Sequence, residues 1–244
     1  MKLIICNTPQ EAAQAAAQHV IDRINAKPAA ILGLPTGGTP LGMYAELAMA
    51  VREGRVDVSN VTTFNLDEYC GLPASDPQSY LTFMSSNFYK PCGLVPTQTH
   101  IPDGEAADPD AEARAYDAAI RAAGGVDLQV LGIGHNGHIG FNEPGAPGDS
   151  RTQAVMLTDK TRQANARFFD TIDDVPTRAI TMGIGTILEA REILLLANGA
   201  DKAGILAAAL FGPVTPANPA SFLQGHPRVT VIADTAAAER CPKN

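Results

Sequence analysis

Tryptophan is absent, and Phe, Tyr and Trp together make up 5% of the chain, which argues against a protein that stacks single-stranded nucleic acid on aromatic rings. Positive charge is also scarce. The 244 residues carry 18 Lys and Arg against 26 Asp and Glu, a net charge of −8, and there is no basic run to meet a phosphate backbone. No nucleic-acid partner is expected, and any anionic ligand must be held by a few local groups. The cysteines Cys6, Cys70, Cys92 and Cys241 lie far apart without C-x-x-C spacing. Neither a zinc knuckle nor a disulfide framework is readable, and a reduced, cytoplasmic protein is expected. The apolar run in MKLIICNTPQE is too short for a secretory signal, and nothing approaches the roughly 18 apolar residues that span a membrane. Internal repeats, low-complexity tails and Gly/Ser linkers are missing too, so residues 1–244 are expected to form a single domain.

What is present is alternation. Short apolar runs, read as strands at 3–6, 29–34, 61–66, 128–133, 154–157, 179–182, 193–197 and 229–233, alternate with longer Ala-rich helical patterns. This pattern predicts an α/β fold: an open, mostly parallel, Rossmann-like sheet with helices on both faces. Thr8 and Pro9 read as N-cap and first residue of a helix through EAAQAAAQHVIDRINA, and further helices are expected at 40–52, 80–88, 110–123, 160–168, 202–210 and 221–224. The Pro- and Gly-rich segments 71–79 and 143–151 read as turns or as a movable lid.

Three segments carry chemistry. In AAILGLPTGGTPLGMYAELAMA a strand runs through Thr36, Gly37, Gly38 and Thr39 into a helix. Free N–H groups at such a helix start collect anions, so a phosphate site is expected, although the spacing and the Lys of a Walker loop are missing. A plain turn with Thr39 as N-cap and Pro40 at N1 is the alternative. The strand VTTFNLDEYCGL ends in two carboxylates, and period two puts Asn65 and Asp67 on one face and Glu68 on the other. Asp67, at the carboxyl end of a parallel strand, is the candidate general base, while a solvated strand end or a cap for the next helix would serve equally well for the dipeptide alone.

The densest segment is LGIGHNGHIGFNEPG, residues 131–145, with two His, two Asn and one Glu among five glycines. It holds a literal G-x-G-x-x-G, but Pro144 and Pro147 interrupt the helix a dinucleotide fingerprint needs. His135, His138 and Glu143 lack the H-E-x-x-H spacing of a helical zinc site, so no metal is expected. Acid–base chemistry remains: His138 titrates near neutrality, and Glu143 is expected to orient it and hold its pKa up. Arg167, in NARFFD, and Lys202, in a first helical turn where the dipole disfavours a cation, are candidates for anion contact.

Taken in order, LGLPTGGTP, FNLDEY, GIGHNGHIGFNEPG and NARFF make the chain resemble the glucosamine-6-phosphate deaminase family, and TMGIGTILEAREILLLANGADKA and HPRVTVIAD extend the likeness through nearly the whole chain. The related 6-phosphogluconolactonases carry DER in place of LDEY and GHTASLFP in place of GHIGFNEP. The resemblance implies conversion of glucosamine 6-phosphate and water to fructose 6-phosphate and ammonia, with no redox cofactor or metal. It implies that His138 opens the pyranose ring with support from Glu143, that Asp67 moves the C2 proton to C1, and that Thr36, Gly37, Gly38, Arg167 and Lys202 hold the substrate and its phosphate. Asn136 stands where some members have an acid; it can orient the imidazole but adds no charge. Hexameric members bind an allosteric N-acetylglucosamine 6-phosphate through cations after the EP motif. Here SRTQAVML keeps Arg151 but has Gln153 and Val155, and the chain stops soon after HPRVTVIAD, which implies the shorter, non-allosteric form and leaves monomer or homo-oligomer open. A sugar-phosphate sensor of the transcription-regulator type is the rival from another class; with the first strand read at residue 3, its DNA-binding module is not expected.

Overall fold

The computed structural model describes residues 1–242. In chain order the strands are β1 (Lys2–Cys6), β2 (Ile31–Leu34), β3 (Thr62–Asn65), β4 (Asp67–Tyr69), β5 (Thr99–His100), β6 (Leu128–Gly132), β7 (Gln153–Met156), β8 (Arg178–Thr181), β9 (Ile193–Ala197) and β10 (Val229–Asp234). The α-helices are α1 (Pro9–Ala26), α2 (Leu41–Arg52), α3 (Tyr80–Met84), α4 (Lys90–Cys92), α5 (Pro109–Ala122), α6 (Asp159–Asn165), α7 (Ile184–Leu188) and α8 (Ala203–Phe211). Seven strands form one sheet in the order β1-β10-β9-β6-β2-β3-β5, and every pairing in it is parallel.

Strand β9, ILLLA, shows why so continuous an apolar run is needed. Side chains alternate across a strand, so Leu194 and Leu196 enter the core beneath α1 and α2 while Ile193, Leu195 and Ala197 enter the core beneath α5, α7 and α8. Helices therefore cover both faces, as expected. Helix α1 starts where its cap says it must: the Thr8 hydroxyl accepts from the Glu11 N–H at 3.1 Å, and Pro9 occupies the first turn, where its missing N–H costs nothing.

The segments 154–157 and 179–182 are strands but not members of the parallel sheet. They are β7 and β8, which join β4 in a separate three-stranded antiparallel sheet, order β4-β8-β7. A strand pattern says nothing about its partner, and the chain between these two packs no helix onto the main sheet. The helix expected at 80–88 is broken into α3, a π turn over Ser85–Tyr89, and α4. The wide turn lies immediately before Pro91, whose ring crowds the carbonyl four residues back and offers no N–H. The helix expected at 160–168 ends at Asn165 with a tighter turn to Phe168, and 221–224 lies in a 3-10 stretch, Pro219–Gly225. Strands β4 and β5 and helix α7 went unread because they are two to five residues long, too short to show a period.

The small sheet is fastened to α5 by two carboxylates: Asp110, which pairs with Arg178 of β8 at 3.6 Å, and Asp117, which ties down the segment leading into β7. Buried Asp117 accepts from Arg151 Nη2 at 3.0 Å, from Thr152 Oγ1 at 3.0 Å and from Thr186 Oγ1 at 2.8 Å, and pairs with Arg121 at 2.7 Å. Removing such an anion strands an arginine and two hydroxyls. Asp117→Ala should lower stability by about 3 kcal/mol, measured as a fall in the denaturant midpoint without a change in slope.

Candidate active site

Strands β2 and β6 are neighbours, paired through Leu32 with Leu128 and Gly33 with Gln129, but the chain leaves them in opposite directions. From β2 it moves outward to β3 and β5; from β6 it moves the other way, to β9 and β10. Such a switch point opens a crevice beyond the carboxyl ends of the strands. A cavity of about 440 Å³ lies there, walled by Pro35–Pro40 after β2, by residues 132–143 after β6, by Asp67 and Tyr80, by one side of α6, and by Lys202.

One end is built for an anion. Gly37 turns the chain with φ 96°, in the left-handed region that a side chain would resist. The 12-residue α2 follows with no side-chain cap and no acid in its first turn, and its start borders the cavity through Pro40, with the Leu41 N–H returned to Gly38 O at 3.4 Å. Pro40, not Thr39, occupies the N-cap position, which removes the plain-turn reading of Thr39. Thr36, Gly37 and Gly38 line this end as expected, and Lys202 and Arg167 line the same cavity. Lys202 precedes α8, ending the turn Ala200–Lys202, and burial lowers its pKa against the opposing pull of Asp201. The Arg167 guanidinium lies 4.6 Å from the Phe168 ring centroid.

Asp67 is not the carboxyl end of a parallel strand, as expected, but the first residue of β4 in the antiparallel sheet, and within β4 the adjacent carboxylates divide as period two requires. Glu68 points away from the cavity and accepts from the N–H groups of Tyr69 at 2.8 Å, Tyr80 at 3.0 Å and Leu81 at 2.9 Å, capping α3. Asp67 points into the cavity at 6% exposure with no hydrogen-bonded partner to stabilise a charge. Burial, reinforced by the Glu68 charge, pushes its pKa up to about 8. The cap reading holds for Glu68, and Asp67 is the member of the pair that lines the cavity.

In the loop after β6, the His138 imidazole lies where a side chain on Gly134 would be: a Cβ there would come within 2.2 Å of His138 Cε1. Glu143 does not contact the imidazole directly. Its Oε1 is 3.7 Å from His138 Nδ1, and Asn136 stands between, donating from Nδ2 to Glu143 Oε2 at 2.6 Å and offering Oδ1 to His138 Nδ1 at 2.7 Å. Because Nδ2 gives its proton to a carboxylate, Oδ1 is an acceptor, Nδ1 must carry the proton, and the lone pair of a neutral imidazole is on Nε2. The expectation that Glu143 holds the His138 pKa up is corrected here: burial lowers it, with Glu143 opposing and Lys202 and His135 reinforcing the fall. His135 pairs with Asp201 at 3.1 Å instead of joining His138 and Glu143.

Sequence reasoning missed Lys160, Thr161, Asn165 and Tyr80, all of which line the cavity. The first three lie on α6, whose polar residues look like any solvated helix face, and Tyr80 looks like a core aromatic. The covering wall is α6, not the 143–151 segment. That segment is tied down by Gly145 N–H to Pro216 O at 2.8 Å and by the Asp117 cluster.

Fold and site together define an α/β protein whose switch-point pocket gathers Asp67, Asn136, His138, Glu143 and Lys202 beside the glycine turn that leads into α2. Residues 7–232 match the family described as glucosamine-6-phosphate isomerases/6-phosphogluconolactonase, and the chain belongs to it. It is 51% identical over 238 residues to a glucosamine-6-phosphate deaminase of Halothermothrix orenii, covering 98% of this chain and 99% of that one. It is 49% identical to the Bacillus velezensis enzyme of the same name, with 98% and 99% covered. A solved monomeric glucosamine-6-phosphate deaminase superposes with a TM-score of 0.95 at 47% identity, over 98% of this chain and 100% of that one. The 6-phosphogluconolactonase of Trypanosoma cruzi, at 21% identity and a TM-score of 0.76 over 98% and 96% of the chains, shares the fold.

The raised pKa of Asp67 makes stability depend on pH. Its folded pKa, about 8 against an ordinary 3.8, means that the folded protein holds this proton more tightly than the unfolded chain. The contribution is complete below the ordinary value and is lost as pH rises through about 8. An amide does not titrate, so Asp67→Asn should raise the thermal midpoint relative to wild type at pH 9 by clearly more than at pH 4. An equal effect at both pH values would show that the carboxylate is not held protonated.

Proposed function

We propose that this chain converts glucosamine 6-phosphate and water to fructose 6-phosphate and ammonia, consuming water in a hydrolytic deamination coupled to aldose–ketose isomerisation. The observation that carries this reading is the meeting, in one cavity, of Asp67, the His138–Asn136–Glu143 relay and the uncapped start of α2 with Lys202. Relatives about half identical over nearly their whole length, and named for this reaction, support it. It works as a single domain over residues 1–244, in the cytoplasm, without redox cofactor or metal.

The phosphate sits on the N–H groups of the 36–39 turn, with Lys202 and Arg167 supplying the positive charge that the protein's net −8 otherwise withholds. Neutral His138, its Nδ1 proton committed to Asn136, accepts the C1 hydroxyl proton at Nε2 and passes it to the ring oxygen, opening the pyranose. Asp67 removes the proton at C2 and, after exchange with solvent, delivers a proton to C1. Water then adds at C2, and ammonia leaves. In the empty pocket Asp67 favours its neutral form at pH 7; a substrate ammonium next to it restores the carboxylate, since an opposite charge favours ionisation.

Ammonia release from glucosamine 6-phosphate, measured with and without EDTA, tests the reading directly. Wild type should release ammonia equally in both and place solvent deuterium at C1 of the product. Asp67→Asn should lose at least about 10³-fold in kcat with KM little changed, because the amide keeps the shape but accepts no proton. Near-normal turnover by this variant would remove Asp67 from the mechanism.

Regulation by an effector phosphate is not expected. Arg151, the one cation kept after the EP motif, is engaged on both sides: Nη2 with Asp117 at 3.0 Å and with Glu189 at 2.9 Å, and Nη1 with Glu189 at 2.5 Å. A dianion arriving there meets a guanidinium already neutralised by two carboxylates. Initial rates should therefore be hyperbolic in substrate and unchanged by saturating N-acetylglucosamine 6-phosphate. A sigmoidal curve that becomes hyperbolic with this compound would place an effector site elsewhere.

A further inference from the structure

Glu143 has a second partner that the acid–base relay does not explain. Its Oε2 takes the Asn136 Nδ2 proton, while Oε1 accepts from the Thr161 hydroxyl at 2.5 Å. Thr161 lies at the third position of α6, the helix that covers the cavity. Its hydroxyl in turn accepts from Oγ1 of Thr158, the N-cap of the same helix, at 3.0 Å. A continuous hydrogen-bond chain therefore runs Thr158, Thr161, Glu143, Asn136, His138, from the covering helix to the imidazole. Both carboxylate oxygens are engaged, and Oε1 is held 3.7 Å from His138 Nδ1, beyond hydrogen-bond reach.

We propose that Thr161 is a positioning residue: its hydroxyl holds Glu143 off the imidazole, so that Asn136, not the carboxylate, faces His138. The inference rests on reading His138 as the acid–base group. The α6 segment then does two things at this wall. It presents Lys160 and Arg167, on and just after α6, to the cavity, and through Thr161 it keeps His138 in the neutral form, with the Nε2 lone pair available. A carboxylate in direct contact would stabilise the imidazolium and remove that lone pair.

The charges that act on the imidazole are Glu143, which favours the cation, and Lys202 and His135, which oppose it along with burial. Asp67 from β4 and Lys160 and Arg167 from the α6 segment line the same cavity. Losing the Thr161 hydroxyl changes only the Glu143 side of this balance. It withdraws a donor from the carboxylate and frees Oε1 to reach Nδ1, so the His138 midpoint must rise.

The test reads the imidazoles of the ligand-free protein by ¹H–¹⁵N NMR against pH, with His138 assigned through His138→Gln among the five histidines. Thr161→Val should move the His138 midpoint up by about half a pH unit or more and lower kcat about tenfold with a smaller change in KM. Thr161→Ala, which removes the same hydroxyl without bulk at the helix start, should do likewise. Thr161→Ser, which restores it, should titrate and turn over like wild type. An unshifted midpoint in both Val and Ala variants overturns the proposal, as does a Ser variant that behaves like Ala. The titration needs no substrate. A wild type that releases no ammonia from glucosamine 6-phosphate would therefore count against the proposed reaction and leave the Thr161 result to be judged separately.

Discussion

Everything at the site follows from the parting of β2 and β6. Two hydrogen-bonded parallel strands whose continuations leave in opposite directions cannot cover the space beyond their ends, and the backbone groups there must find partners other than a sheet. After β2 the chain enters a tight glycine turn and a helix with no side-chain cap, a start that suits an anion. After β6 the loop fills the space with side chains, so its glycines matter: Gly134 leaves room for the imidazole that lies across it. The anion end and the proton-transfer end are thus two consequences of one topological event.

The second antiparallel sheet turns that crevice into a chemical site. By pairing with β8, β4 holds Asp67 and Glu68 in extended backbone, and extended backbone sends neighbouring carboxylates to opposite sides. One is satisfied by three N–H groups and caps a helix. The other has none and is buried, so burial governs its proton affinity. The same principle, partners against burial, sets His138: its nearest charge is held one residue away by Asn136, and desolvation prevails over attraction.

Much of this was legible in the sequence, for reasons that can be stated. Period two separated Asp67 from Glu68 before any coordinates, because the parity of a strand does not depend on its partner. The Gly-rich turn running into α2 was legible because its cue is local, and the start of α1 because Thr8 and Pro9 act within one turn. What stayed hidden was non-local. Helix α6 carries Lys160, Thr161 and Asn165 on a seven-residue polar stretch, and nothing within it tells a cavity wall from a solvated face. Asn136 and Glu143 were both marked as supports for His138, but their order in the relay came from distances of 2.7 and 3.7 Å, and the fall in the His138 pKa came from its burial.

The sequence by itself determined the α/β class, the parallel run of the main sheet, the polar residues that gather at the pocket, and the family they resemble. These rest on short-range periodicity and residue chemistry, which the chain carries with it. Only the tertiary structure decided that β7 and β8 leave the main sheet to support β4, that Arg151 is spent on Asp117 and Glu189, and that Thr161 of α6 meets Glu143 at the pocket wall. Those outcomes depend on which distant groups meet in a low-dielectric interior, where a few tenths of an ångström decide whether a carboxylate faces an imidazole or an amide.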